Sequence, residues 1–342
     1  MGFLEDNVKR LLERLEKTQW NTTQIPNISN YPIMTREDLR NLKMSDGYYK
    51  SKTSGSTGEP VTVTKSIHDY IWFTAANILD IRWRKWDVTK TVAHIKTTAK
   101  EQTFNGWGIP TNIEPIQGLT YTNNYKTISE LQEWLEKVNP HYINCFPSIF
   151  KLLDTSRIPN FIDWKGTGEV GGTLYSSEEC GVIALTCPDN PKVMHVMENQ
   201  YLERDNDGGM IITTLTNDYI RRYKHGDHIE LGTCNCGRGL QTITEVKGRI
   251  RNMFVLPNGD KKWPLIGSLN FYNDYGIKRY KAIQRTINEL ELQIISEPLN
   301  EKEKELKSLV KEWINSPINV IITYVNEFPN YKFEEFVSMV EN

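Results

Sequence analysis

Thr53-Ser54-Gly55-Ser56-Thr57-Gly58-Glu59-Pro60 is the stretch on which the reading of this chain turns. Gly55 and Gly58 let a backbone point its N–H groups inward and approach a ligand closely. Ser54, Ser56 and Thr57 add hydroxyl donors, so the loop suits a polyphosphate. Pro60 ends it, and Val61-Thr62-Val63-Thr64 resumes strand-like alternation. A flexible Ser/Gly linker is the competing reading of these residues. A nucleotide-triphosphatase P-loop fits less well, because that motif closes with Gly-Lys-Ser/Thr where Gly58 is followed here by Glu59-Pro60.

The surrounding chain has room for the work such a loop implies. Its 342 residues are enough for two domains, and 38% hydrophobic with 25% charged residues is the balance of a soluble globular protein. The net charge is -2 with Lys and Arg dispersed, so neither a nucleic-acid nor a membrane surface is expected. Five cysteines, an odd number, without a secretory leader, point to a reducing cytoplasm. Leu4, Val8, Leu11, Leu12 and Leu15 share one face of a charged first helix. Tyr70 to Ile81, the most apolar window, is too short and interrupted to span a bilayer.

Helix starts and strands alternate along the first half. Thr35 with Asp38, Ser66 with Asp69 and Thr127 with Glu130 each carry the capping-box spacing, and Asn300 with Glu303 carries its Asn counterpart near the end. Thr91–Ile95 and Tyr142–Cys145 read as buried strands, the second running into Phe146-Pro147-Ser148 and a further helix start. The order predicts an α/β fold: a large N-terminal domain over 1–250 with a mostly parallel sheet, and a smaller α+β lid domain over 251–342. In the latter, Leu290, Leu292 and Ile294 alternate as a half-buried strand, Leu306, Leu309, Val310, Trp313 and Ile314 share a helix face, and Val320–Val325 forms another strand. Phe104, Trp107 and Tyr121 are expected in core packing, with a pocket lining as the other use.

The order Thr-Ser-Gly-Ser-Thr-Gly-x-Pro resembles the phosphate loop of the adenylate-forming, acyl-CoA synthetase superfamily. The absence of a lysine just after the proline narrows the resemblance to its phenylacetate-CoA ligase and CapK-like branch. Five further motifs follow in the family's order, and the likeness runs from about Pro32 to the C-terminus. Gly166-Thr167-Gly168-Glu169 resembles the adenine-side motif. Tyr175-Ser176-Ser177-Glu178-Glu179 resembles Tyr-Gly-x-Thr-Glu, with Ser176 for Gly and Glu178 for Thr, and it comes only five residues later, without the usual intervening helix and strand. Thr213–Asp227 resembles the segment ending Arg-Tyr-x-x-Gly-Asp, and Gly248-Arg249-Ile250-Arg251-Asn252 resembles Gly-Arg-x-x-Asp. Near the end, Tyr331-Lys332-Phe333 is similar to the Gly-Lys-Phe motif, with Tyr331 for Gly.

The resemblance implies an ATP site formed by Thr53, Ser54, Gly55, Ser56, Thr57, Gly58, Gly168, Glu169, Tyr175, Asp227 and Arg249. Asp227 would accept the ribose hydroxyls, and the planar fork of Arg249 suits phosphate and ribose oxygens. Glu179 takes the magnesium position, Lys332 the catalytic lysine position that steadies carboxylate and α-phosphate, and Asn252 the hinge. Read alone, Glu178-Glu179 is a solvated acidic pair, Gly226-Asp227 a surface turn and Lys332 a surface lysine.

Cys187, His195 and Cys234-Asn235-Cys236-Gly237 have the residue types and the Cys-x-Cys turn of a tetrahedral zinc site, or are buried thiols beside an unrelated His. The pattern resembles a structural zinc site of phenylacetate-CoA ligase relatives, which implies a closed staple; Cys145 and Cys180 remain ordinary thiols.

The activity implied is ATP- and magnesium-dependent activation of a small carboxylic acid to an acyl-adenylate, followed by transfer to a thiol such as coenzyme A. A protein or amine acceptor, or a non-catalytic nucleotide-binding or zinc-stabilised module, is the alternative. A homodimer is compatible with either.

Overall fold

The computed structural model describes residues 2–16, 28–53, 61–95, 100–113, 115–123, 127–168, 171–206, 208–247, 254–262, 271–328 and 336–340. Ser54, Gly55, Ser56, Thr57, Gly58, Glu169, Arg249, Asn252 and Lys332 lie outside the described residues.

Three of the four expected caps close as boxes. Thr35, Ser66 and Thr127 each accept from the backbone N–H three residues on, while Asp38, Asp69 and Glu130 reach back. Two otherwise unpaired donors are satisfied at each of the helices Arg36–Asn41, Ile67–Trp83 and Ile128–Val138. The fourth differs. Asn300 adopts a left-handed φ of 50°, and the helix Lys302–Ile314 begins after Glu301 without a side-chain cap. Asn tolerates that region, so the residue makes the turn and its carbonyl, not its side chain, receives the Glu303 N–H at 3.1 Å.

A five-stranded sheet runs in the order Gln102–Asn105, Leu119–Asn123, Val92–Ile95, Tyr142–Cys145, Asp163–Gly166. Every neighbouring pair is parallel except the first. Leu131, Trp134 and Leu135 of the helix Ile128–Val138 cover Ala93, Ile95 and Ile143. Trp107 is buried against Trp86 and Tyr142, whereas Phe104 lies exposed on the edge strand, and Tyr121 is half-buried against the helix-covered core.

The larger sheet has seven strands, in the order Gln200–Arg204, Gly209–Thr214, Tyr223–Gly232, Thr242–Lys247, Met194–Val196, Gly181–Thr186, Leu174–Ser177. It is antiparallel throughout. The expected α/β class is observed, but of these two sheets only the five-stranded one carries parallel order. Connections such as the few residues between Gln200–Arg204 and Gly209–Thr214 are too short for the crossover a parallel pair requires. One face of this sheet packs Leu174, Val182 and Leu185 on Val8, Leu12, Ile71 and Leu79 of the first and third helices. The other face closes over Ala184, Val196, Ile212 and Tyr223 with Leu39, Val61 and Val63.

The two sheets meet at Thr173. Its N–H donates to Gly166 O (2.8 Å), its hydroxyl accepts from Gly166 N (3.0 Å), and its carbonyl accepts from Thr186 N (3.1 Å). One residue thus splices the last parallel strand onto the antiparallel sheet. Beside it a buried charge cluster ties the helix Ile67–Trp83 to the same strand. Asp80 pairs with Lys165 (2.9 Å) and Arg84 (3.0 Å), and Arg84 continues to Asp163 (3.4 Å).

The C-terminal part has a four-stranded sheet, Asn319–Tyr324, Glu289–Ile295, Arg279–Thr286, Phe336–Ser338, covered by the helix Lys302–Ile314. Leu290, Leu292 and Ile294 are fully buried in alternation, as the period-two pattern predicts. Among the described residues, their core cluster draws on positions from Phe254 to Phe336. Among the described residues no helix is long and apolar enough to cross a membrane.

Candidate nucleotide site and Cys/His cluster

The Ser/Gly-rich stretch that starts at Thr53 is flanked by a two-stranded ribbon, Tyr49–Lys52 with Thr62–Lys65. Thr53 N–H donates to Val61 O (3.0 Å), and Val61 N–H donates back to Thr53 Oγ1 (2.9 Å), so both ends of the segment are pinned together. A loop held at its base by reciprocal bonds pays less entropy when it wraps an anion.

From Thr53 the contacts run on without a gap. Arg36 Nη2 donates to Thr53 Oγ1 (2.9 Å) and its Nη1 to Glu179 Oε1 (3.1 Å). Tyr223 OH lies 3.4 Å from the same Oε1, and the Lys65 ammonium bonds the Glu179 carbonyl. Tyr223, His225 and Asp227 follow at alternate positions of the strand Tyr223–Gly232. His225 lies between the rings of Tyr223 and Tyr175, edge-on at 6.2 Å to each, and its Nδ1 is 3.3 Å from Asp227 Oδ2. Tyr175 OH donates to that Oδ2 at 2.7 Å. Burial first, then the Asp227 carboxylate, hold the Tyr175 phenol well above its ordinary pKa, so it stays a donor. Burial likewise raises Tyr223 and lowers Lys65.

Four expected residues, Thr53, Glu179, Tyr175 and Asp227, therefore stand in one line of contacts. Gly168 stands apart, at the end of the parallel sheet with φ of 80°, where an added Cβ would lie 2.7 Å from the Phe146 ring. Glycine is required there on both counts. Arg36, Lys65, Tyr223 and His225 join the site without having been singled out in the sequence. Tyr223 and His225 were within reach, since they alternate with Asp227 inside Arg222-Tyr223-Lys224-His225-Gly226-Asp227.

Cys187, His195, Cys234 and Cys236 come together, their ligating atoms all within 4.8 Å of one another. Cys234 and Cys187 sulfurs are 3.8 Å apart, and His195 Nε2 is 3.1 Å from Cys236 Sγ. Burial, then the Arg238 charge, pull His195 down to about 4, which keeps the imidazole in its ligating neutral form. Its buried Nδ1 has no hydrogen-bond partner among the described residues. Four sulfur and nitrogen donors at these separations fit a tetrahedral ion. Arg238 braces the two loops, pairing with Asp189 and lying 5.1 Å over the Trp83 ring. A cleft of about 590 Å³ runs from Tyr175 to Cys187, walled also by Trp164, Thr173, Met194 and Ile243. That volume accommodates a small organic ligand.

No family model matches the sequence, and a search of curated proteins finds no match. Solved structures do share its architecture. An open conformation of 2-hydroxyisobutyryl-CoA ligase, in complex with 2-HIB-AMP and CoA, superposes with a TM-score of 0.51 at 14% identity, over 97% of this chain and 90% of the other. The same ligase in its thioesterification state, also with 2-HIB-AMP and CoA, gives a TM-score of 0.55 at 16% identity, over 99% and 90%. In its postadenylation state with 2-HIB-AMP the values are 0.52 and 14%, over 98% and 88%. In fold, this arrangement of a mostly parallel five-stranded sheet, an antiparallel seven-stranded sheet and a four-stranded C-terminal sheet is similar to that of 2-hydroxyisobutyryl-CoA ligase.

Proposed function

We propose that this protein uses ATP to convert a carboxylic acid to an acyl-adenylate and then passes the acyl group to a thiol, coenzyme A, in the manner of the phenylacetate-CoA ligase and CapK-like branch. The observation that carries this is the unbroken line from the base of the phosphate loop through Arg36 and Glu179 to Asp227 and Tyr175. Neighbours of like fold that hold 2-HIB-AMP and CoA lend support.

The chemical difficulty is electrostatic. One carboxylate oxygen must bond to an α-phosphorus already ringed by negative oxygens while the bond from that phosphorus to the pyrophosphate oxygen breaks. Backbone and hydroxyl donors of Ser54 to Gly58 would cradle the departing phosphates, and Lys332 would lie on the α-phosphate and carboxylate. Asp227 would take the ribose hydroxyls, sharing its carboxylate with Tyr175, while Gly168, Glu169 and Arg249 complete the nucleotide's surroundings. Magnesium, when bound at Glu179, supplies charge neutralisation to the polyphosphate. In the second step the thiol sulfur bonds to the acyl carbon and AMP leaves. Rotation of a lid domain, 251–342, about Asn252 would admit the thiol. Zinc would be held by Cys187, His195, Cys234 and Cys236 as a closed staple along the cleft.

Two experiments test this. Radiolabelled pyrophosphate is expected to exchange into ATP only when a matching acid from a panel is present, and exchange unaffected by Lys332→Ala contradicts the role given to that lysine. Purified protein is expected to carry about one zinc per chain, and Cys234→Ser to lose it with a drop in melting temperature. A zinc-free protein whose stability ignores Cys234→Ser contradicts the staple.

A further inference from the structure

We infer that Arg36 is a positioning residue that fixes the Glu179 carboxylate for a divalent cation, an inference that rests on the ATP site proposed above. Arg36 holds one carboxylate oxygen, Oε1, at 3.1 Å, and Tyr223 OH approaches that same atom at 3.4 Å. Oε2 accepts no hydrogen bond among the described residues. Glu179 is only 6% exposed, and the Lys65 ammonium fixes its backbone carbonyl. A buried carboxylate anchored through one oxygen presents the other in a single direction, as a hard oxygen-coordinated cation requires.

Arg36 is itself well fixed. Thr35 caps its helix, Met34 bonds the strand bearing Tyr223 through Arg222 O (3.0 Å) and Lys224 N (2.8 Å), and Leu39 is fully buried beneath. Its second hand, Nη2, is on Thr53 Oγ1 at 2.9 Å, the residue that opens the phosphate loop. One guanidinium therefore registers the metal carboxylate against the loop that would hold the phosphates. Only a planar fork does this, because a lysine ammonium is a single point that reaches one partner well. The contact joins residues 143 positions apart, so it sets the distance between two segments that are otherwise independent in sequence.

The test uses Mn2+ as a paramagnetic stand-in for magnesium, measuring protein-bound Mn2+ by water-proton relaxation enhancement at saturating ATP against a protein-free Mn2+–ATP blank, with Arg36→Gln, Arg36→Lys and Glu179→Gln beside the natural protein. Arg36→Gln is expected to raise the half-saturating Mn2+ concentration about tenfold. ATP binding in the presence of a chelator should stay within about twofold, a split that simple loss of structure does not produce. Arg36→Lys is expected to fold normally and fall between. Equal Mn2+ dependence in Arg36→Gln and the natural protein, with Glu179→Gln impaired, overturns the role of Arg36 and leaves the adenylation reading standing. Arg36-dependent Mn2+ binding without acid-dependent pyrophosphate exchange does the reverse. A natural protein that binds no Mn2+ with ATP overturns both.

Discussion

Glu179→Gln is expected to lower acid-dependent pyrophosphate exchange by about two orders of magnitude or more, the size of effect that follows when a charged ligand or electrostatic stabiliser is removed from the site of charge development. The substitution keeps the shape and can still accept from Arg36, so the half-buried guanidinium retains a partner. What it removes is the negative charge that would hold the metal. Melting temperature is therefore expected to change little while exchange collapses. Unchanged exchange would show that Glu179 serves only to pair Arg36 and Tyr223.

The largest loss of stability is expected from Asp80→Ala. Asp80 is 2% exposed and faces two cations, Lys165, itself 7% exposed, and Arg84. Among the described residues, removing it leaves Lys165 with the neutral Asn77 amide oxygen at 3.2 Å, and Arg84 with Asp163 and the Trp164 carbonyl. Breaking a buried pair from one side costs about 3–5 kcal/mol, because a charge stays buried without compensation. Denaturant unfolding checks this. Asp80→Asn, which keeps an acceptor, is expected to lose less, and a midpoint unmoved by Asp80→Ala would mean that the cluster is solvated. The damage should reach the site, since Lys165 lies on the strand that ends at the Thr173 splice.

How much of this could be read beforehand depended on the range of the interaction. Thr35, Ser66 and Thr127 were legible because a capping box is complete within four residues. Asn300 had the same spacing and failed because its own backbone entered the left-handed region, which spacing does not encode. The antiparallel sheet was hidden because its strands follow a half in which strands and helices alternate, although the short gaps between Gly181 and Thr214 leave no room for helices. Cys187, His195, Cys234 and Cys236 were found because their residue types are rare and the Cys-x-Cys turn is local. Arg36 gave no such signal. A lone arginine in a charged stretch looks like a solvated face, and only folding brings it to Glu179. Lys65 was obscured in the same way, at the end of a strand in which Val63, Thr64 and Lys65 are buried in succession rather than in the alternation that the residue types suggest.

Adenylation requires an acid oxygen to bond to the α-phosphorus of ATP, and isotope transfer reads that bond. With the carboxylic acid labelled by oxygen-18 and coenzyme A as acceptor, the AMP released should carry one labelled oxygen, left behind when the sulfur takes the acyl carbon. Label in inorganic phosphate, or AMP formed without any, would contradict the account.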